Sequence, residues 1–511
     1  MTSPKAVLAL ALTLALGVLV PASATDQQRV GDVRPVVLVG NNWDGTVHVV
    51  DPKRFTRLAR IDVVPDLQER RTEIFRDPVG LGLFLGIRGL IGEGHDQFVD
   101  DVYTSRDGRL LFASRPSLAD VVGIDLRTRR IVWRTRVDGY RSDHMAISPD
   151  GRRLLVSAST ERKVHSIDPA TGRILGEFES GDQPHEIHYS HDGSLVYHAS
   201  IGSVYTPADQ PALDATKGDR WFQVVDARTM RVLKRIDVGK ALADAGHPGF
   251  SSAVRPIALS PDERYAYLQI SFFHGFVEFD LQRFRPTRVA RLPLGASAEG
   301  LPREQYILDS AHHGLAVNGA GTKLCAAGTM SNYAAIVDRE SFAYKIIPVG
   351  LRPYWSTNNG DGTLCFVAVS GEDRISVISY ASAEEIARIR VGDHPQRVRM
   401  GAYRSDLLPG DRVAPRLTRL KVVRRRGGGR ALRLRASEPV RLSIDVRKAR
   451  SGGRRFRRVR TVRRRTRAGA TRVALGRLPG AGRYRLVVSA RDAAGNRAAT
   501  RRIRFRVRPA R

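Results

Sequence analysis

The chain has 511 residues, more than one hydrophobic core usually supports, so two domains, or a large repeat domain with a smaller one, is the expected organisation. Its formal charge of +32 is concentrated at one end: Arg416 to Arg511 holds 34 Lys and Arg against Glu438, Asp445 and Asp492, a surplus of +31. With only Cys325 and Cys365 the chain is no disulfide-built miniprotein, and past its N-terminal segment no stretch is apolar enough to span a bilayer.

The first element is an apolar run, Ala6 to Val20, behind a single Lys5 and closed by Pro21 and Ala22-Ser23-Ala24. This pattern predicts a secretory signal peptide over residues 1–24, cleaved after Ala24, and an extracytoplasmic mature chain, secreted or associated with the cell envelope.

From residue 35 a turn signal recurs between short strand-like runs: Ser105-Arg106-Asp107-Gly108, Ser148-Pro149-Asp150-Gly151, Ser190-His191-Asp192-Gly193, Ser260-Pro261-Asp262-Glu263, Asn318-Gly319-Ala320-Gly321 and Asn359-Gly360-Asp361-Gly362. A second turn follows an apolar residue at Asp51, Asp125, Asp168, Asp226, Asp280 and Asp338, with Ile378-Ser379 as a worn copy. Asp107, Asp150 and Asp192 are spaced by 43 and 42 residues, the length of a four-stranded propeller blade. The copies number seven. The first lacks its leading strand, and an orphan strand, Gln396 to Met400, follows the last, so pairing of the two ends would close a ring. Longer gaps mark insertions at about 67–94, 202–220 and 295–305, expected on one rim; Gly80 to Gly94 reads as an apolar flap packed on the disc.

The segments LVGNNWDGTVHVVDP (Leu38 to Pro52), LLVSASTERKVHSIDPATGRIL (Leu154 to Leu175) and FVAVSGEDRISVIS (Phe366 to Ser379) resemble the YVTN-type, WD40-like β-propeller repeat family. The resemblance covers about residues 35–401 and implies a seven-bladed β-propeller; the family spans surface-layer proteins, binding proteins and enzyme-like relatives, so it leaves function open. Cys325 and Cys365 fall at matching positions of adjacent blades. Because blades diverge outward, two unbonded buried side chains are expected, with a bond as the alternative.

Counting seven residues back from each first turn gives one ring near the channel mouth: Asp100, Asp143, His185, Arg255, His313 and Tyr354, with Gln396 aligned to them. All are polar, as suits a water-filled channel that binds a ligand. His185 and His313 are the metal-ligand candidates, with His144 replacing Asp143 if the register slips by one. No cofactor motif is present, and no nucleophile elbow, phosphate loop or haem-attachment pair.

Residues 402–415 read as a linker, and 416–511 as a small Arg-rich β-sandwich with strands at about 417–423, 431–436, 440–446, 456–462, 471–475, 484–490 and 502–507. The stretch Leu478 to Leu486 leading to Asn496 resembles the penultimate strand and closing turn of bacterial immunoglobulin-like or fibronectin-type modules. The runs Arg424-Arg425-Arg426 and Arg463-Arg464-Arg465, expected in loops or at strand ends, are the candidate contacts for an anionic cell-wall or capsule polymer; nucleic acid is a further polyanion of the same kind. The functional expectation is an all-β binding or scaffold protein whose propeller takes a protein or small ligand and which requires no catalytic residue. The alternative is a channel enzyme, either a lactonase-like hydrolase or a metal-dependent oxidoreductase.

Overall fold

A computed structural model describes residues 33–204, 211–407, 414–425, 429–437, 439–450, 455–467, 469–492 and 496–508. The segment 1–24 expected to be a signal peptide and Arg426 lie outside them.

Residues 33–404 form repeated four-stranded antiparallel sheets, each a consecutive meander except the first. The two turn signals account for the repetition. In the first turn Ser105 Oγ donates to Asp107 Oδ1 at 2.6 Å and the Gly108 amide donates to the Ser105 carbonyl at 2.9 Å, with Gly108 at φ +66. Ser148 and Asp150 repeat this arrangement, as do Ser190 and Asp192. In the second turn the Asp carboxylate accepts backbone amides two and three residues on, as Asp51 does from Lys53 and Arg54. The chain then passes through a left-handed residue, successively Phe55, Arg129, Gly172, Met230, Phe284, Phe342 and Ala383.

The first sheet has the order Pro395–Arg404, Val33–Asn41, Thr46–Asp51, Thr56–Asp62, so both ends of this region share one sheet. Pro395–Arg404 lies against the inner strands Pro353–Asn358 and Val102–Thr104, and the row of sheets returns on itself in a propeller-like arrangement. Apolar residues pack between neighbouring sheets; Val36, Leu38, Val102, Leu111 and Val122 belong to one such layer.

One expectation is corrected, that Cys325 and Cys365 are unbonded. The 67–94 insertion is helical: α1 spans Leu67–Phe75 and α2 spans Pro78–Leu90. Asp77 caps α2 through the Val79 amide and Pro78 occupies its first turn, which starts the helix despite its glycines. Cys325 and Cys365 are bonded, with Cα atoms 6.5 Å apart. Both sit on the second strand from the axis, where adjacent sheets have diverged too little to exceed the reach of a disulfide.

Residues 417–507 fold as two facing sheets. One has the order Leu417–Arg424, Arg430–Ala436, Gly469–Gly476; the other has Phe456–Thr466, Val440–Ala449, Gly482–Arg491, Arg501–Val507. Leu432, Leu442, Ile444, Val473, Leu486 and Val488 fill the space between them. No helix among the described residues is long and apolar enough to cross a membrane.

Candidate functional site

The ring residues sit at the starts of inner strands, where pairing is irregular. The register shifts between Ser142 and Met145, Pro184 and Ile187, Val254 and Ile257, Pro353 and Trp355, and again opposite Gln396. A bulge lets consecutive side chains escape strict alternation. Asp143 and His144 therefore both reach the axis, where a regular strand would turn one away. The one-residue slip that the sequence allows is replaced by a bulge that presents both.

Asp100, Asp143, His144, His185, Arg255, Tyr354 and Gln396 line one cavity, and His313 stacks on Tyr354 with ring centres 4.2 Å apart. Arg141 Nη1 donates to Asp143 Oδ2 at 2.6 Å, and Arg397 Nη2 to Asp100 Oδ2 at 3.1 Å. Burial pushes the Asp100 carboxyl up to about 7 against the pull of Arg397. Arg255 donates from Nε to Ser271 Oγ and from Nη2 to the Leu308 carbonyl.

The cavity holds about 30 Å³, room for an ion or a water but not for an organic molecule. The expected water-filled mouth is closed. Ile91 from the first insertion, Val204 from the second and Leu308 after the third cover it, and Ile201, Val204 and Ala253 form an apolar cluster with Leu308. Lys217 Nζ donates to Asp309 Oδ2 at 2.7 Å and ties the second insertion to the segment that follows the third. Leu308 and Asp309 both adopt left-handed backbone, at φ +48 and +59.

Three imidazoles meet beneath this cap. His144 and His185 lie 3.8 Å apart between ring centres, His185 and His313 5.4 Å, and His144 and His313 6.0 Å. One ring nitrogen from each falls within 4.8 Å of the others, and all three residues are buried. Burial holds each well below the ordinary histidine range, so all are neutral. The turn spacing singles out His185 and His313; His144 completes the set, and placing it requires knowledge of two irregular strands. His188 meets Glu186 at 2.6 Å and His312 faces His274 and Tyr333, both apart from this set.

A larger open cleft of about 660 Å³ lies on the rim, lined by Trp43, Arg352, Asp373, Asp393 and His394. Trp43 is sandwiched between His95 and His394, each 3.8 Å away.

On the sandwich, Arg463, Arg464 and Arg465 lie inside the strand Phe456–Thr466, which runs further than the sequence pattern indicates. Arg424 ends a strand of the other sheet and Arg425 follows it, so the two runs occupy different sheets. Directly opposed residues of antiparallel strands share a face. Arg465, Arg441 and Arg491 form one such row, extended by the bridge from Arg491 to Arg497. Arg458, Arg447, Arg485 and Arg504 form another across four strands. Between the rows Asp445 accepts from Thr461 and Arg447. Arg441, Arg463, Arg464, Arg465, Arg491 and Arg497 line a groove of about 500 Å³.

No family model matches the sequence, and no curated protein matches it. Among solved structures the chain is similar to Kuenenia stuttgartiensis hydrazine synthase, at 16% identity and a TM-score of 0.46 over 58% of this chain and 88% of that one. It is also similar to dihydro-heme d1 dehydrogenase NirN in complex with DHE, at 13% identity and a TM-score of 0.43 over 86% of this chain and 74% of that one.

Proposed function

We propose that this is an extracytoplasmic binding protein: a seven-bladed β-propeller that takes a ligand, joined to an immunoglobulin-like sandwich that holds an anionic cell-wall or capsule polymer. Closure of the first sheet by the last strand supports the propeller. A tyrosine corner supports the immunoglobulin-like reading, since Tyr484 Oη donates towards the carbonyls of Pro479 and Gly480 at 2.6 and 3.0 Å. The leader sequence and the disulfide between Cys325 and Cys365 both favour an oxidising compartment.

The observation that carries the polymer reading is the pair of cross-strand arginine rows. Like charges directly opposite one another destabilise a sheet, and Asp445 is the acidic side chain between these rows. Strands lie about 4.8 Å apart, so each row is a ladder of cations, and a polymer with closely repeated anions relieves the repulsion along it. Release of its counterions adds affinity that falls with salt. The rim cleft, at about 660 Å³, is of the size that small ligands occupy and is the favoured place for the propeller's own ligand.

The test is binding of the full chain to immobilised polyphosphate across a salt series. Arg441→Ser with Arg491→Ser is expected to weaken binding at least tenfold and to lower the salt slope by about one for each phosphate left without its arginine. Unchanged affinity in that variant, or no binding at low salt, would overturn the reading; a marked preference for duplex DNA would move it to nucleic acid. A channel enzyme, whether lactonase-like hydrolase or metal-dependent oxidoreductase, draws support from the three converging imidazoles. The small, capped cavity counts against entry of an organic substrate.

A further inference from the structure

We propose that His144, His185 and His313 form a binding site for one divalent first-row transition-metal ion of the zinc, cobalt or copper class, buried at the propeller axis. The inference goes beyond the functional reading above, which puts the propeller's own ligand in the rim cleft, and it stands or falls separately from the polymer site on the sandwich.

The hydrogen bonds fix which nitrogens carry protons. His144 Nδ1 is 2.6 Å from Glu186 Oε2, and a carboxylate can only accept, so Nδ1 is the donor and Nε2 keeps its lone pair. His313 Nδ1 is 3.3 Å from the backbone carbonyl of Tyr354, which assigns its lone pair to Nε2 in the same way. That nitrogen is buried without a hydrogen-bond partner, and so is His185 Nδ1. Two imidazole lone pairs with fixed tautomers thus belong to one buried three-histidine group alongside a third unpartnered ring nitrogen. Buried polar atoms are rarely left unsatisfied, and acceptors turned towards one another call for a cation between them.

The surrounding groups match what metal-ligating histidines use. A carboxylate or backbone carbonyl on the far ring nitrogen sets the tautomer and raises ligand basicity; Glu186 does this for His144 and Tyr354 for His313. Three imidazole ligands suit zinc, copper, nickel or cobalt and disfavour magnesium or calcium, which prefer oxygen. Asp100 Oδ2 and Asp143 Oδ1 lie 3.8 and 3.9 Å from His144 Nε2, close enough to supply a fourth ligand or to accept from a metal-bound water. Asp100, Asp143 and Glu186 are the carboxyl groups beside the imidazoles, and Arg141, Arg255, Arg397 and Arg399 are the cations, Arg141 being held by Asp143 and Arg397 by Asp100. The cavity of about 30 Å³ accommodates the ion and little else.

The test uses purified full-length protein stripped with a chelator and titrated with Co²⁺, then with Zn²⁺ in competition. One equivalent of Co²⁺ is expected, with visible d–d bands that Zn²⁺ abolishes. His144→Ala and His313→Ala should each weaken binding at least 100-fold. Glu186→Gln, whose amide oxygen still accepts from His144, should weaken it about 10- to 100-fold and leave the bands recognisable. His165→Ala, in the separate Asp138–His165–Glu177 group whose carboxylates are exposed and whose imidazole is buried, should leave this binding unchanged. Apo melting curves identify any variant that fails to fold, and the wild-type stoichiometry decides without them. Fewer than a tenth of an equivalent bound by the wild type, or binding that survives both His144→Ala and His313→Ala, would overturn the proposal.

Discussion

At His48 the imidazole is 4% exposed, and its Nδ1 accepts from the Asn41 amide nitrogen at 3.0 Å, so an added proton would confront a donor. Burial, with help from Arg57, lowers its pKa to about 4. Above about pH 6.5 the ring is neutral in folded and unfolded chains alike. Between 6.5 and 4 the unfolded chain takes up a proton that the folded one refuses, so stability falls with pH across that window and levels off below it. His48→Asn should flatten this fall by up to about 1.4 kcal/mol per pH unit, read from urea midpoints between pH 7 and 4; an unaltered slope would show that His48 is not the buried neutral group described. Replacing both Cys325 and Cys365 by Ser should cost about 2–4 kcal/mol in the same assay, because the bond closes a loop with a separation of 40 residues. The channel ring and the disulfide differ in how far the sequence reveals them. The ring is legible by counting back from turns, since turn chemistry is local. The disulfide and His144 depend on the radius at which a strand sits and on a bulge, neither of which a single repeat encodes.

At the scale of elements, the strands follow their turns closely and the insertions do not. Apolar alternation between Asx-type turns marks where chain reversals must fall, and the seven tail strands lie where alternation places them, each extended by a residue or more. Helix α2 escapes such a reading because Gly80, Gly82, Gly86 and Gly89 lower helix propensity by up to about 1 kcal/mol each, and what nucleates it is the local pair Asp77-Pro78. Phe84 and Ile87 anchor it, while Val79, Leu83, Leu85 and Leu90 remain exposed. Asp77→Ala removes the cap and should destabilise the helix by about 1 kcal/mol. Hydrogen exchange should then speed up over residues 78–91, which end at Ile91 in the cavity cap, with little change in the global melt. Uniform acceleration across the inner strands instead would mean that the helix is integral to the fold.

For the molecule as a whole, the decisive join is the one made by the strand Pro395–Arg404. It pairs with Val33–Asn41, and its arginines reach into the next sheet: Arg397 to Asp100 at 3.1 Å and Arg399 to Asp101 at 2.7 Å, with both guanidinium groups against the Trp355 ring. Although burial pushes Asp101 upward, Arg399 and Arg397 hold its carboxyl below the usual range, so the pair is ionised at neutral pH. Asp101→Asn would leave Arg399 buried without its counter-ion and should cost about 3–5 kcal/mol, far more than an exposed pair such as Arg127 and Asp406. If the ring depends on this join, a chain ending before Pro395 should fail to fold. A chain ending at Leu407 keeps the strand and its ion pairs and loses only the sandwich, so it should melt with the full chain's first transition. Circular dichroism of the two truncations separates the possibilities: a folded shorter chain would show that the ring closes without its last strand, whereas collapse of the longer one would make the sandwich part of the propeller's stability.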